Sequence, residues 1–322
     1  MTSFLNISHK SLGMAITMLL LCMGLVSCGN SHNKDNSGRI TDKAGLQNSL
    51  SAIIKEQPGK IGIAVIYDNA DTLTVNDSAD YPMMSMFKLH EAIAVCHALD
   101  NRQASLDSAI HISRSTIDMD TWSPMLKDYT GDSISITIGK LIDYLLVHSD
   151  NNASNLLFER IVSPVETDRY IRSISPDGEF RISWMEADMK KDIMKSYDNR
   201  TSPLSYASLI NKVFTDSLVI PGKQEFIKDA MERCQTGMSR IAAGLPDNGK
   251  VRFAHRTGSG YTNSRGEVVA VNDGGYVTLP DGNGYSIAVF IKDFGGSQEE
   301  AEKIIAMISA TIYSHLTNNA DN

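Results

Sequence analysis

A serine and a lysine three positions apart lie within an otherwise apolar stretch, YPMMSMFKLHEAIAV, at residues 81–95. On a helix, residues at i and i+3 share a face and lie about 6 Å apart. A serine hydroxyl becomes a strong nucleophile when an adjacent base takes its proton, and a desolvated lysine can be that base because burial lowers its pKa. Ser85 and Lys88 therefore suggest covalent catalysis. The pattern S-x-x-K is weak alone, since a solvated helix face also explains it.

A second polar motif, HSDNNASN, follows a helical pattern at residues 148–155. Ser149 and Asn151 are two positions apart, so they can project a hydroxyl and an amide into a cleft. Asp150 suits the cap of the next helix, and capping alone is the structural explanation of this motif.

A third motif, HRTGSG, ends a predicted strand at residues 255–260. Arg256 and Thr257 supply a cation and a hydroxyl, and the glycine at Gly258 lets a ligand approach the backbone closely. This combination predicts an anion site. A strand that runs into a glycine turn explains the glycines but not the arginine-threonine pair.

In this order, the three motifs resemble those of the class A serine β-lactamases and their penicillin-binding relatives, whose signature is S-x-x-K, S-D-N and K-T-G. Here they read SMFK, SDN and RTG. The resemblance covers about residues 43–317. The stretches WSPMLKDY and NRTSP are similar to the cephalosporinase-leaning, extended-spectrum branch associated with anaerobic Gram-negative bacteria. The three motifs in this order are specific for the family, whereas each motif alone is not.

The resemblance implies a role for each residue of the first two motifs. Ser85 would attack the lactam carbonyl, with Lys88, or Glu186 through a water, as the base for acylation. Ser149 would relay a proton to the lactam nitrogen, and Asn151 would bind the substrate amide.

The third motif would hold the substrate. Arg256 and Thr257, together with Arg240 in TGMSRIAAGLP, would hold the substrate carboxylate, although Arg240 also suits a surface ion pair. The backbone N–H of Ser259, beyond Gly258, would join that of Ser85 in an oxyanion hole. Arg256 stands where most members have lysine; arginine keeps the charge but cannot act as an acid or base, so it can anchor substrate but cannot shuttle protons.

The choice between hydrolase and transpeptidase depends on a polar segment at about residues 177–202. A β-lactamase must activate a water, and the family does so with a glutamate on an omega-shaped loop. Counting back from TSP at 201–203 assigns that role to Glu186. Lys190 then occupies the position of the usual asparagine, which leaves open how the water is held. A surface-loop explanation of Glu186 remains, since other acidic residues share the segment.

The hydrophobic pattern predicts the elements that must position these groups. Strand signals occur in KIGIAVIYD, DTLTVN and three stretches after residue 250, whereas helical signals dominate from the opening stretch to about residue 234. We expect an α/β two-lobed fold of the serine β-lactamase and penicillin-binding-protein type, with an antiparallel sheet flanked by helices and an all-helical lobe. Residues 43–84 and 235–318 would form the α/β lobe. Residues 85–234 would form the helical lobe, including an omega-type loop at about 181–202.

Composition narrows the classes of function. The 322 residues are 42% apolar and carry a formal net charge of -8, which suits a globular protein and disfavours a nucleic-acid partner. The eight histidines are scattered, and no G-x-S-x-G elbow occurs. We therefore expect no metal. The resemblance implies no organic cofactor, a small-molecule β-lactam substrate, and a monomer.

The first residues indicate export. A basic start and a short apolar run predict a signal peptide at residues 1–27, and LVSC resembles a bacterial lipobox that would lipidate Cys28. Ordinary cleavage near Ser27 is the alternative. Residues 28–42 would form a tether, and the enzyme would be periplasmic, with a possible lipid anchor as its one link to the membrane. Cys96 and Cys234 are expected to be buried free thiols, although export permits a disulfide between them.

The sequence thus predicts an exported serine hydrolase that opens the β-lactam ring of cephalosporins and penicillins through an acyl-enzyme and confers antibiotic resistance. Two alternatives remain. One is a D,D-peptidase that acts on peptidoglycan peptides, and the other is a non-catalytic lipoprotein that binds peptidoglycan.

Overall fold

The computed structural model of the chain describes residues 40–69 and 71–317. The predicted signal at residues 1–27, the predicted lipidation site Cys28 and most of the tether lie outside the described residues. None of the helices within the described ranges is long and apolar enough to cross a membrane.

Helices and strands alternate irregularly along the described chain. The α-helices are α1 (Lys43–Ile54), α2 (Lys88–Asn101), α3 (Met125–Asp128), α4 (Ile138–Val147), α5 (Asn151–Arg160), α6 (Pro164–Ile174), α7 (Glu186–Lys191), α8 (Pro203–Thr215), α9 (Pro221–Glu232) and α10 (Gln298–Thr317). The strands are β1 (Lys60–Tyr67), β2 (Asp71–Val75), β3 (Tyr81–Pro82), β4 (Ala109–Ser113), β5 (Ser133–Thr137), β6 (Phe180–Arg181), β7 (Arg200–Thr201), β8 (Arg252–Ser259), β9 (Val268–Thr278) and β10 (Gly284–Phe294). Short 3-10 helices occupy Met84–Phe87, Arg114–Thr116, Ile193–Tyr197 and Ile241–Gly244.

The main sheet has five antiparallel strands in the order β2-β1-β10-β9-β8. The N-terminal hairpin joins the C-terminal meander through β1 and β10, with Ala64 opposite Ala288. Both central strands are buried along almost their whole length. The side chains on both faces of these strands are therefore shielded from water, which requires a cover of helices on each side of the sheet.

Two hydrophobic cores lie on opposite faces of this sheet. Helices α1 and α10 cover one face with side chains such as Leu50, Ile305 and Ile308. On the other face, Tyr206 of α8 and Phe290 of β10 belong to the core of the helical region. The described chain thus has the expected two-lobed α/β fold, with strand β8 at the edge of the sheet facing the helices.

The opening stretch is not one continuous helix, so the prediction of a helix from residue 81 was wrong at its start. Tyr81 and Pro82 pair with β7, and Met84 has a positive φ of 48°. Proline lacks a backbone N–H and restricts its neighbours, which favours this extended entry. Ser85 therefore lies in a 3-10 turn, and α2 begins at Lys88.

A second difference is the hairpin of β4 and β5, which pair from Ala109 opposite Thr137 to Ser113 opposite Ser133 in a region expected to be helical. Ile134 and Ile136 are buried, whereas Ser133 and Ser135 are exposed. This alternation has the period of two of a strand, and the helical signal of α4 directly after it obscured it.

The two ends of the polar segment at residues 177–202 are held together by strand pairing. Phe180 pairs with Thr201 and Arg181 with Arg200, so β6 and β7 bring its two ends together. Asn199 fastens the interior, since its Oδ1 accepts from the backbone N–H groups of the residues at 183 and 184 at 2.8 and 3.0 Å. The loop thereby holds α7 in a fixed place.

Candidate active site

Ser85 and Lys88 lie where the 3-10 turn becomes α2, at the junction of the two lobes. The turn packs against strand β8: a Cβ added to Gly258 would lie 2.4 Å from the carbonyl oxygen of Met83. Ser85 is half-buried, and its Oγ donates to Glu186 Oε1 at 3.3 Å. The glycine at 258 therefore allows the strand to come close to the turn that carries the serine.

Lys88 is fully buried, and its ammonium has a partner in each direction. Nζ donates to the carbonyl oxygen of Ser149 at 2.9 Å and to Asn151 Oδ1 at 2.6 Å, and it lies 2.9 Å from Glu186 Oε1 and 3.3 Å from Ser149 Oγ. Burial lowers the pKa of Lys88; the Glu186 carboxylate opposes that shift, and the charge of Arg256 adds to it. The net direction is downward, so the lysine is easier to deprotonate than in water.

Glu186 is the first residue of α7, and 15% of its side chain is exposed. Its Oε1 reaches both Ser85 Oγ and Lys88 Nζ. The next backbone N–H, of Ala187, donates to Asn155 Oδ1 at 3.0 Å, which ties the start of α7 to α5. A serine, a lysine and a carboxylate thus converge on one point between the loop and the helical lobe.

Ser149 and Asn151 flank the N-cap of α5. Asp150 caps that helix, since its side chain accepts from the N–H of Ala153 at 2.9 Å. Ser149 has a positive φ of 60°, which is uncommon outside glycine and turns its hydroxyl toward Lys88. Asn151 donates from Nδ2 to Thr121 Oγ1 at 3.0 Å. The capping and the polar roles of this motif therefore belong to different residues.

The third motif lies on β8, and its cation is fully buried. Arg256 donates from Nη2 to Ser149 Oγ and from Nη1 to Thr236 Oγ1 at 3.4 Å, while its Nε has no hydrogen-bond partner. Thr257 is buried and its Oγ1 lies 2.5 Å from Thr236 Oγ1. Arginine at 256 therefore links the second motif to the third.

Arg240 is buried rather than on the surface. Its guanidinium donates to the carbonyl oxygens of Gly258 and Asn272 at 3.2 and 2.8 Å and to Ser259 Oγ, and it lies 3.1 Å from Glu302 Oε1. The ion pair that the sequence left open is present, but it lies behind β8. There it holds the end of the strand that carries the exposed Ser259.

Lys190, at the position of the usual asparagine, pairs with acidic residues outside the loop. Its ammonium lies 2.6 Å from Asp118 Oδ2 and also donates to the carbonyl oxygen of Asp120. Its side chain is 41% exposed. Lys190 therefore joins the loop to the segment at 118–120.

Sequence reasoning missed residues that act on these groups from a distance along the chain. Thr236 contacts both Arg256 and Thr257, and Asn155 holds the start of α7. Both residues lie within stretches that the sequence analysis singled out, Thr236 in TGMSR and Asn155 in NASN. The spacing of residues in these stretches did not indicate a role for either of them. Cys96 and Cys234 are free and buried, as expected.

The comparisons with known proteins agree with one another. The family model described as "Beta-lactamase enzyme family" matches residues 45–316. A β-lactamase of Phocaeicola vulgatus is 48% identical over 84% of this chain and 84% of its own length. The extended-spectrum β-lactamase PER-1 of Pseudomonas aeruginosa is 33% identical over 83% of this chain and 86% of its own.

A solved structure gives the same result. The crystal structure of a representative class A β-lactamase from Bacteroides cellulosilyticus superposes with a TM-score of 0.82, at 28% identity, over 86% of this chain and 99% of that one. Fold, ordered motifs and relatives agree. The chain therefore belongs to the β-lactamase enzyme family, as a class A serine β-lactamase.

Proposed function

We propose that Ser85 is the nucleophile of the acyl-enzyme route by which this enzyme hydrolyses the β-lactam ring, and that Glu186 is the base that activates the deacylating water. One observation carries the proposal. Glu186 Oε1 lies 3.3 Å from Ser85 Oγ and 2.9 Å from Lys88 Nζ, so nucleophile, ammonium and carboxylate meet at one atom. A nucleophile within reach of a base, itself oriented by a third group, is the usual arrangement of an activated serine.

In acylation, the proton of Ser85 passes to Glu186, and Oγ attacks the lactam carbonyl. An ammonium has three N–H groups and no acceptor. The three N–H groups of Lys88 are directed at the carbonyl oxygen of Ser149, at Asn151 Oδ1 and at Glu186 Oε1. Lys88 can serve as a base only after it has given a proton to the carboxylate. The lowered pKa of Lys88 favours that transfer, so the two groups act as one unit.

The oxyanion forms beside the backbone N–H groups of Ser85 and Ser259. Such donors are worth about 3 kcal/mol each to the transition state. When the ring C–N bond breaks, the nitrogen needs a proton, and Ser149 is suited to supply it. Its oxygen accepts from Arg256 Nη2, which leaves its own hydrogen free to donate.

The substrate is held by groups around this centre. The second Nδ2 hydrogen of Asn151 remains available for the substrate amide, because the first goes to Thr121. The Thr257 hydroxyl binds the substrate carboxylate in the field of the buried Arg256. Arg240 acts through Ser259, whose hydroxyl it orients, because its own N–H groups are directed at protein oxygens.

Before deacylation, the proton taken from Ser85 passes from the Lys88–Glu186 pair to Ser149, whose Oγ lies 3.3 Å from Lys88 Nζ, and replaces the proton given to the lactam nitrogen. Glu186 is then a carboxylate again. In deacylation it takes a proton from water as the water oxygen attacks the ester carbonyl, and that proton passes to Ser85 Oγ as the ester C–O bond breaks. Lys190 contributes by fastening the loop and not by binding this water. We propose penicillins and cephalosporins as substrates, and antibiotic resistance as the outcome. We also propose a monomer that is exported to the periplasm, with a lipid on Cys28.

The test is turnover of a chromogenic cephalosporin by the purified protein, with Ser85→Ala as the control. We expect many turnovers from the wild type, a transient mass increase on the peptide that contains Ser85, and neither from the variant. A single stoichiometric burst without turnover would contradict the hydrolytic assignment and favour a D,D-peptidase. Absence of covalent labelling would favour a binding protein. Labelling of growing cells with a fatty acid, compared with Cys28→Ser, tests the anchor.

A further inference from the structure

Two side-chain bridges join helices α2 and α5. In the first, Lys88 Nζ donates to Asn151 Oδ1 at 2.6 Å, as described above. In the second, Ser154 Oγ donates to Glu91 Oε2 at 2.7 Å, three residues further along each helix. Residues three apart share one face of a helix, so both bridges lie between the same two facing surfaces. The mechanism above gives no part to the second, which we call the Glu91–Ser154 bridge.

The Glu91–Ser154 bridge is costly for a contact that would only pack two helices together. Glu91 and Ser154 are fully buried, and Glu91 Oε1 has no hydrogen-bond partner among the residues that the structure describes. A buried polar oxygen without a partner costs free energy. Apolar side chains of similar volume would join the helices without this cost. The cost of the bridge indicates a role beyond stability.

The bridge joins the helices without placing a second carboxylate near Lys88. Burial raises the pKa of Glu91 well above its usual value, against the opposing effects of the Ser154 hydroxyl and the charge of Lys88. Glu91 is therefore a neutral acid at neutral pH. A charged Glu91 would also attract the ammonium, whereas the neutral acid leaves the contact between Lys88 and Glu186, at 2.9 Å, as the ion pair of the site.

Each helix of this pair begins at the active site. Lys88 is the first residue of α2, and Asn151 is the first residue of α5. The residue that follows Ser154 in α5 accepts from the N–H of Ala187 at 3.0 Å, which holds the start of α7 and with it Glu186. A shift of α5 against α2 would therefore change the distances from Lys88 Nζ to Asn151 and to Glu186 together.

We propose that Glu91 and Ser154 are positioning residues for acylation, because their hydrogen bond fixes the spacing of α2 and α5. The proposal rests on the roles assigned above to Lys88 and Glu186, whose distance depends on that spacing. A displacement of about 1 Å at a reacting group lowers a rate by up to about 100-fold, so loss of the bridge should slow acylation by about 10–100-fold. The affinity for unreacted substrate should change far less, since β8, which holds the substrate carboxylate in the proposed mechanism, belongs to neither helix.

The experiment measures the burst of acylation with a chromogenic cephalosporin in Ser154→Ala, Glu91→Leu, Glu91→Gln and the double variant Glu91→Leu/Ser154→Ala. Ser154→Ala and Glu91→Leu should each slow the burst by about 10–100-fold. The double variant should be no slower than the slower single variant, because both changes remove the same bond. Glu91→Gln should stay within about threefold of the wild type, because its amide oxygen accepts from Ser154 as the acid does.

Two controls separate positioning from a general loss of structure. The affinity for unreacted cephalosporin is measured with each change in a Ser85→Ala background, and we expect it to stay within about threefold. Ser286→Ala removes another fully buried serine hydroxyl, which donates to Asn211 Oδ1 at 3.4 Å between β10 and α8. Its melting temperature should fall while its burst keeps the wild-type rate, because neither of these elements carries a proposed catalytic residue.

A wild-type burst in Ser154→Ala, or losses that add in the double variant, would overturn the positioning role. Equal losses of burst rate and affinity would also overturn it, since they would assign the effect to disruption of the whole pocket. The same holds if Glu91→Gln is as slow as Glu91→Leu. The proposed function fails on a different result, which is turnover of cephalosporin by Ser85→Ala. A burst without turnover, as in a D,D-peptidase, would still give the acylation rates that test the bridge.

Discussion

Replacement of Glu186 by glutamine removes one charge and keeps the shape of the side chain. The amide cannot accept a proton from Ser85 Oγ or from water, and the carboxylate 2.9 Å from Lys88 Nζ is lost. General-base catalysis contributes about 10²–10⁴ in rate, which is about 2.7–5.4 kcal/mol at 1.36 kcal/mol for each factor of ten. We therefore expect deacylation in Glu186→Gln to slow by that factor.

The assay is rapid mixing with a chromogenic cephalosporin, followed by mass spectrometry of the intact protein. We expect a burst equal to the enzyme concentration, a slow steady state, and an acyl-enzyme that persists. The rate of the burst addresses the base for acylation. The burst slows in the variant if Glu186 takes the proton of Ser85, or if Lys88 takes it after giving its own proton to Glu186. A burst at the wild-type rate, with deacylation failing, would show that Lys88 is the base and does not need the Glu186 carboxylate.

Asp188→Asn is the matched control, because it removes the same charge from the same short helix. We expect its turnover to stay within about twofold of the wild type, since Asp188 is half-buried and, among the described residues, its carboxylate has no hydrogen bond or ion pair with Ser85, Lys88 or Glu186. Melting temperatures of both variants exclude unfolding as the cause. Wild-type turnover in Glu186→Gln, or equal losses in the two variants, would refute the assignment of Glu186.

Four further changes test other parts of the site. Lys190→Met should lower steady-state turnover by less than about threefold, because its ammonium pairs with exposed carboxylates; a hundredfold loss would give it a part in holding water. Arg240→Ala should cost about 3–5 kcal/mol in denaturant unfolding, because it leaves Glu302 without its cation; a loss below about 1 kcal/mol would contradict this. Gly258→Ala should cost about 1–3 kcal/mol and also lower kcat/KM, since its Cβ meets the backbone beside Ser85; unchanged values of both would show that the turn can shift. Burial raises the pKa of Glu91 well above its usual value, so the folded protein binds more protons than the unfolded one above about pH 4.5, and stability falls as pH rises through that window. Glu91→Gln does not titrate, so it should lose less melting temperature between pH 5 and pH 8 than the wild type; equal losses would contradict the shift.

Hydrophobic periodicity predicted most of the fold. The main-sheet strands are apolar runs bounded by turn residues, and α10 begins at the SQEE cap, where Ser297 and Glu300 bond each other's backbone N–H groups. The β4–β5 hairpin was missed because only two buried isoleucines mark β5 and a strong helical pattern follows at once. Short elements carry too few residues for a period to outweigh their neighbours.

The residues of the three motifs could be proposed from the sequence because the chemistry expected of them depends on side-chain type at a fixed local spacing. Glu186 was proposed only by counting from a neighbouring motif. The partners that hold the site, such as Thr236 beside Arg256 and Glu302 beside Arg240, come from contacts between residues 20 and 62 positions apart. No local pattern specifies such a contact, so these residues required the folded chain.

The charges of the site explain why arginine can replace lysine in the third motif. Arg256 and Lys88 are both fully buried, and Glu186, with 15% of its side chain exposed, is the carboxylate between them and the nucleophile. Burial keeps the pKa of Glu91 high, so that acid adds little opposing charge. Because a guanidinium does not lose its proton, the repulsion between the two cations can be relieved only at Lys88. Arg256 therefore lowers the pKa of Lys88. Of the two cations, Lys88 is the one that can give a proton to Glu186.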